Sequence, residues 1–318
     1  MSLPTNTFTT TLAVGNREDL EDVIYNVAPS ETPILSMLDS TKVISTNHEW
    51  QTDTLASANT SNAKIQGDDA TTTSVTPTVR LGNYTQIMDK VPRVTGTQQA
   101  VDHAGRGDEL DYQVVKMGKE LKIDMEAIAF GTNQAKLIAA AGTAPLMASA
   151  LSWIGTNDVF DSTSGASPAA LLGASTRTDS SAQVAYTEAK LKACLQLIWT
   201  SGGKPDLIAL GGFNKQQMST FTGRSTPQED AKSKKIVNSV DVYEGDFGIQ
   251  KVVAARNMRA RDVLVLQTDM WARGTLRGMA TKELARTGDS ERKQLIVEWT
   301  LVSRNEKASG GVFDNTTS

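Results

Sequence analysis

Few residues in this chain have the types and spacing that chemistry needs. Its two histidines, His48 and His103, stand far apart, and neither falls in a His-x-x-x-His or Cys-x-x-Cys spacing that would hold a metal. His48-Glu49 could do general acid–base work, but the pair lies in a predicted strand beside a long polar loop and reads as an exposed strand histidine with its neighbour. The single cysteine, Cys194, falls on the apolar face of a predicted helix, the place of a small buried hydrophobe rather than a nucleophile. Ser201-Gly202-Gly203-Lys204-Pro205 carries the lysine of a phosphate loop but has Pro205 where Ser or Thr is required, so it reads as a helix stop. Asp53 and the pair Asp68-Asp69 could bind a cation, although acids in a solvated loop commonly bind nothing specific. Arg106-Gly107-Asp108 spells an adhesion tripeptide, yet Asp108 is better explained as a carboxylate at the start of a helix. No nucleophile, base and orienting group come together, so no catalytic residue, metal or cofactor is expected and the chain is not expected to be an enzyme.

The elements that carry these residues are dominated by one helix, predicted over Gly107 to Thr132. Leu110, Val114, Met117, Leu121, Met125 and Ile128 recur at steps of three and four and share one helical face. The opposite face is polar, and spacing alone pairs Lys116 with Glu120 and Lys122 with Glu126. Such a rod, roughly 37 Å long at about 1.5 Å per residue, braces one domain, joins two, forms a coiled coil or is simply a long core helix.

Before it, a Thr-rich start leads into Asn16-Arg-Glu-Asp-Leu-Glu-Asp-Val-Ile-Tyr-Asn-Val-Ala28, where Asn16 can cap a short helix with Leu20, Val23, Ile24 and Val27 as its stripe. Pro29 and Pro33 break the chain and leave Ile34, Leu35, Met37 and Leu38 as an apolar plug. Such an arm must lie on its own domain or on a neighbour. A strand over Thr41 to Trp50 and an extended segment over Thr78 to Val101 flank a polar run, which reads as a long two-stranded projection or, more plainly, a disordered loop.

After the long helix, residues 139–185 read as an irregular Ala/Ser-rich connection with an apolar island at Leu146 to Ile154. Thr187 caps a helix carrying Leu191, Cys194, Leu195, Ile198 and Trp199 on one face. A buried strand at Pro205 to Leu210, a helix capped by Asn214, and strands near 240–243, 248–254 and 262–267 complete an α/β module around a charged loop at 223–235. Leu295 to Val302 alternates as a late strand, turned back along Lys282 to Arg286 by Thr287-Gly-Asp-Ser290, and a Gly-containing tail follows. The five tryptophans read as core anchors.

Composition bounds the function. The chain has 318 residues, ample for a core, with 39% hydrophobic and 21% charged residues. No apolar run reaches the roughly 18 residues of a membrane span, and the first residues lack the pattern of a signal peptide, so a soluble protein made in the cytoplasm is expected, with no membrane partner. The sequons at Asn59 and Asn315 then read as chance. A net charge of −4 argues against a dedicated nucleic-acid binder. Residues 1–140 hold 11 Lys and Arg against 18 Asp and Glu, and the rest hold 21 against 18, an asymmetry that could help like subunits meet.

Arm, two-stranded loop, long helix, α/β module and late strand follow one another in an order that resembles the HK97-type major capsid fold of tailed phages. The residues Asn16 to Leu38, Asn83 to Val101, Gly107 to Ile128, Ile198 to Gly223 and Glu298 to Val312 resemble the SU10-type major capsid family, and the likeness covers nearly the whole chain. The resemblance implies an α+β fold with an N-terminal arm (1–42), an extended loop (43–88), a peripheral domain (89–185) with a spine helix at about 108–132, an axial α/β domain (186–270), and a return to the peripheral domain with a C-terminal tail (271–318). It implies a structural protein that self-assembles through pentamers and hexamers into an icosahedral virion shell around double-stranded DNA gripped only weakly and non-specifically. Portal, and scaffolding or decoration proteins, would be its partners, and assembly would take place in the host cytoplasm. Candidate subunit contacts are Leu20, Val23, Ile24, Ile34, Leu35, Lys64, Asp68, Asp69, Lys116, Lys119 and Glu120. Lys64 raises the covalent cross-linking of some relatives, but nothing identifies a partner for it. A nanocompartment shell of the same fold and a soluble α/β enzyme are the alternative readings.

Overall fold

Asp108 starts the long helix by accepting the Asp111 N–H on its side chain at 2.9 Å, and Gly131 closes it. A Cβ at Gly131 would collide with the Asn257 carbonyl oxygen, so glycine is required there by close approach. The computed structural model describes residues 31–67, 69–70, 72–102, 105, 107–160, 164–170, 172–221 and 241–317. The helix predicted from Asn16, the charged loop at 223–235, Asp68, His103 and Arg106 lie outside these residues.

In chain order the elements are α1 (Pro33–Met37), β1 (Asp39–Lys42), β2 (Asn47–Thr52), β3 (Val79–Tyr84), β4 (Gln86–Lys90), β5 (Arg93–Thr95), α2 (Gly96–Ala100), α3 (Glu109–Phe130), α4 (Ala150–Trp153) and β6 (Asp158–Val159). They continue with α5 (Glu188–Thr200), β7 (Leu207–Leu210), α6 (Gly212–Met218), β8 (Val242–Gly245), β9 (Gly248–Ala254), β10 (Val263–Leu266), β11 (Trp271–Leu284), β12 (Ser290–Ser303) and β13 (Gly310–Val312). Helices and strands mix without regular alternation, an α+β arrangement.

Two sheets carry the molecule. The first runs β1-β11-β12-β4, with β5 continuing along β12 beyond β4. Its centre is the 14-residue antiparallel pair β11 and β12, joined through the predicted Thr287–Ser290 turn. Leu121, Met125, Ala129 and Phe130 of α3 share one core with Met88, Leu295, Val297, Trp299 and Leu301 of this sheet. Each large side chain buried there contributes about 2 kcal/mol. The apolar island belongs to the same core, with Met147 to Ile154 fully enclosed.

The second sheet runs β6-β13-β10-β7-β9-β8. Both β7, Leu-Ile-Ala-Leu, and β10, Val-Leu-Val-Leu, are buried at every residue, as strands covered on both faces must be. Their alternate residues serve different cores: Leu207, Ala209, Leu264 and Leu266 face the α3 core, while Ile208, Leu210, Val263 and Val265 pack with Leu191, Cys194, Leu195 and Ile198 of α5.

Several expectations change. The single strand predicted over Thr41 to Trp50 is two strands: β1 pairs parallel with β11, and β2 pairs antiparallel with β3. Asn214 does not cap α6, which Gly211 precedes; Asn214 is buried inside the helix and donates to the Ala260 carbonyl at 2.7 Å. The tail does not trail away after the late strand. Gly310–Val312 instead fills the slot between β10 and β6, and Phe313, Asp314 and Asn315 are buried behind it. Another concerns Glu126, whose surroundings belong with the surfaces it supports.

Candidate intersubunit surfaces

The junction of α1 and α3 turns on Glu126. Spacing placed it on a polar face paired with Lys122, but near the end of α3 Glu126 is fully buried, as are Met125, Ala129 and Phe130. Its Oε2 accepts the Leu35 N–H at 3.1 Å and its Oε1 accepts from Asn257 Nδ2 at 3.3 Å. Burial pushes the carboxyl above its ordinary range, and the two donors partly offset that rise. Ile34 and Leu35, expected to lie on their own domain or on a neighbour, are buried in their own chain's core.

On the outer face of α3, Lys116 and Lys119 are exposed. Glu120 is not held by Lys116 as spacing suggested; it binds Lys90 of β4 at 3.2 Å, and Asp124 binds the same ammonium at 2.9 Å. These pairs tie the helix to the edge of the first sheet and leave the two lysines directed outward.

The β2–β3 ladder carries the projection. Its base is fixed by Asn83, which is buried, donates to the Leu301 carbonyl at 2.7 Å and accepts from the Ala148 N–H at 2.8 Å. Trp50 packs against Trp153 with ring centroids 5.5 Å apart, and His48 stands 5.7 Å from Trp50. Partial burial lowers the His48 imidazole below its ordinary range. Beyond the ladder, the described residues between Asp53 and Thr78 form neither helix nor strand, and Lys64 and Asp69 are exposed there. Leu55 is 100% exposed, and Ile65 and Val75 are nearly so. Ile44, between β1 and β2, is 89% exposed.

The second sheet and α5 present another apolar surface, which the sequence reading missed. Trp199, expected in the core, is 60% exposed and stacks on Phe247 with centroids 5.5 Å apart. Ile249 and Val242 are exposed as well, but they lie on the opposite face of the second sheet from α5, which Val252 and Tyr243 face. At about 100° per residue, Trp199 sits at the margin of the stripe made by Leu191, Cys194, Leu195 and Ile198, and that marginal angle was the available signal.

The buried charges are structural. Arg177 donates to the carbonyls of Ile154 at 2.8 Å and Leu151 at 3.2 Å, and its guanidinium lies over the Phe313 ring. Burial lowers it to about 10, against the pull of Asp158. Arg259 binds Asp179 at 2.6 Å and Asp262 at 3.0 Å, and Arg261 binds Asp314 at 2.8 Å. Burial pushes Asp262 up to about 6. The cluster joins the irregular connection, the start of β10 and the C-terminal segment. Burial holds the Cys194 thiol far above its ordinary range, which keeps it un-ionised and unreactive. Among the described residues no group of three or more His, Cys, Asp or Glu could hold a metal, and no helix is long and apolar enough to cross a membrane.

The geometry is thus a folded body with an apolar-tipped projection and exposed patches rather than a reactive cleft. A family model described as SU10 major capsid protein matches residues 3–316. The major capsid protein of Escherichia phage Phieco32 is 27% identical over 334 residues, which cover 94% of each chain. Among solved structures, a chain of the native GTA particle capsid aligns with a TM-score of 0.66 at 8% identity, covering 96% of this chain and 98% of that one. A chain from Gordonia phage Cozz aligns at 0.62 with 12% identity, covering 98% and 96%. Phage G gp27 major capsid proteins and gp26 decoration proteins contribute a match at 0.55 and 12%, covering 99% and 100%. These neighbours share the HK97-like fold, and the family match with the phage relative favours a phage shell over a nanocompartment or an α/β enzyme. The chain belongs to the SU10 major capsid protein family, and its role is structural and shell-forming rather than enzymatic.

Proposed function

We propose that copies of this chain meet as pentamers and hexamers through the projection beyond β2 and β3, the outer face of α3 and the open face of α5. The observation that carries this reading is the projection itself: Leu55 and Ile65 stand in water at the end of a ladder whose base is firmly fixed. Covering them on a neighbouring copy removes apolar area from water, and many weak contacts per subunit become strong when repeated around a closed shell. Lys64, Asp69, Lys116, Lys119 and the Glu120–Lys90 pair would then lie at or beside contacts, where they fix orientation more than affinity.

In this reading residues 1–42 are the arm, 43–88 the extended loop, 89–185 the peripheral domain, 186–270 the axial domain and 271–318 the returning strand and tail. The axial sheet also takes β6 and β13 from outside 186–270. A net charge of −4 suits a wall that touches packaged double-stranded DNA weakly and releases it. A portal, and scaffolding or decoration proteins, are the further partners, the last supported by the likeness to a capsid that carries decoration proteins. Assembly is assigned to the host cytoplasm. Purified chain at high concentration, with or without a scaffolding partner, should give capsomers or shells by electron microscopy; monomers alone under both conditions would overturn the proposal. A protein cargo instead of DNA in the native particle would move it to a nanocompartment.

A further inference from the structure

Between α1, α3 and the irregular stretch of β11 lies a cavity of about 280 Å3. It is lined by apolar Leu35, Met125, Val297 and Met279, by Thr32, Ser36, Thr275 and Gly278, and by the cations Lys122 and Arg273. No acidic side chain lines it among the described residues. Lys122 lacks the partner that helical spacing would give it, because Glu126 is turned into the core and held by Leu35 and Asn257. The Arg273 Nε is shielded from solvent without a hydrogen-bond partner. Met279, which also lines the cavity, is 38% exposed. Two cations therefore flank a partly apolar slot with no acidic side chain lining it among the described residues, a site complementary to an apolar segment with acidic flanks.

The chain contains such a segment a few residues away. In residues 16–28, Leu20, Val23, Ile24 and Val27 have the spacing that would put them on one face of a helix. Asp19 and Glu21 flank that stripe at about 100° to either side of Leu20. Thr32 lines the cavity, and Ala28 is only four residues upstream of it, a reach of at most about 14 Å.

We propose that residues 16–28 dock on their own chain, seating the Leu20, Val23, Ile24 and Val27 stripe over this cavity with Asp19 and Glu21 against Lys122 and Arg273. This narrows the part of the arm within the shell reading above and is testable apart from it. Cys194 is fully buried, so introduced cysteines report alone. Full-length Ile24→Cys/Met279→Cys, and in parallel Val27→Cys/Met279→Cys to allow for register, are exposed to mild oxidant and run on non-reducing gels. At least one pair should give a cross-linked monomer. Lys122→Glu should slow that cross-link about threefold, the size expected of one exposed ion pair. Adding Asp19→Lys/Glu21→Lys should restore it. No cross-link from either pair, or cross-linked dimers in place of monomers, would overturn same-chain docking. Shells forming without the cross-link would leave the shell reading intact and remove only this one; cross-linked monomers that never assemble would do the reverse.

Discussion

Glu126 holds the meeting of α1 and α3 through two acceptors in a site closed to water. Glu126→Ala should cost about 3 kcal/mol, because the Leu35 N–H is left buried and unpaired and a void opens beside it; denaturant unfolding measures it. A loss below about 0.5 kcal/mol would mean that the junction is held by packing alone. Asp262 gives a pH-dependent counterpart. Its folded carboxyl is pushed up to about 6, above its ordinary value of 3.8, so its contribution is fully present below the ordinary value and is lost as pH rises through the folded one. Wild type should therefore lose stability relative to Asp262→Asn between about pH 4 and 6, and equal thermal midpoints across that range would contradict the assignment. Neither residue was legible in the sequence as a buried charge. Spacing identifies the face a residue shares, and Glu126 fell on the polar one; what enclosed it was the last turn, where Ala129 and Phe130 are buried as well as Met125. The run Ala127-Ile-Ala-Phe130 was the only local hint.

At the scale of elements, α3 was readable almost to the residue because its signals are local. Asp108, the stripe and Gly131 all lie within the helix or at its ends, and α5 with Thr187 behaves the same way. Strand partnership was less legible, since it is decided by distant chain. Thr41 to Trp50 reads as one extended run, yet its first part joins β11 and its last joins β3, and nothing in the run itself marks the change. The tail was read as leaving the body because Gly310 and Gly311 look like linker. They are glycines because a Cβ at Gly310 would collide with the Asn157 carbonyl oxygen inside the sheet, and one at Gly311 with the Phe313 ring. The packing of α3 on β12 sets a paired prediction. Leu121→Asp puts a carboxylate into a site that is 1% exposed, which should prevent folding and shells together. Lys119→Glu, on the exposed face, should leave the circular dichroism spectrum and unfolding midpoint unchanged and at most raise the concentration needed for assembly. The opposite pattern would reverse the inward and outward faces of the helix.

For the whole molecule, the order of parts was enough to reach the fold, but the surfaces that meet in a shell were not. Periodicity records which side chains turn inward within one chain, and a residue buried only between chains looks the same as a core residue. Trp199 is the case in point: it reads as core by type and spacing, yet it lies open beside Phe247. If that face meets a neighbouring copy, its burial belongs to the assembly and not to the fold. Trp199→Ser should then leave monomer stability within about 0.5 kcal/mol, since little packing is lost. It should also raise the concentration at which capsomers form, because a lost aromatic contact is counted at every repeat of the interface. Sedimentation and electron microscopy of wild type and variant at matched concentrations separate the two effects. Loss of monomer stability without a change in assembly would return Trp199 to the core, where its type first placed it.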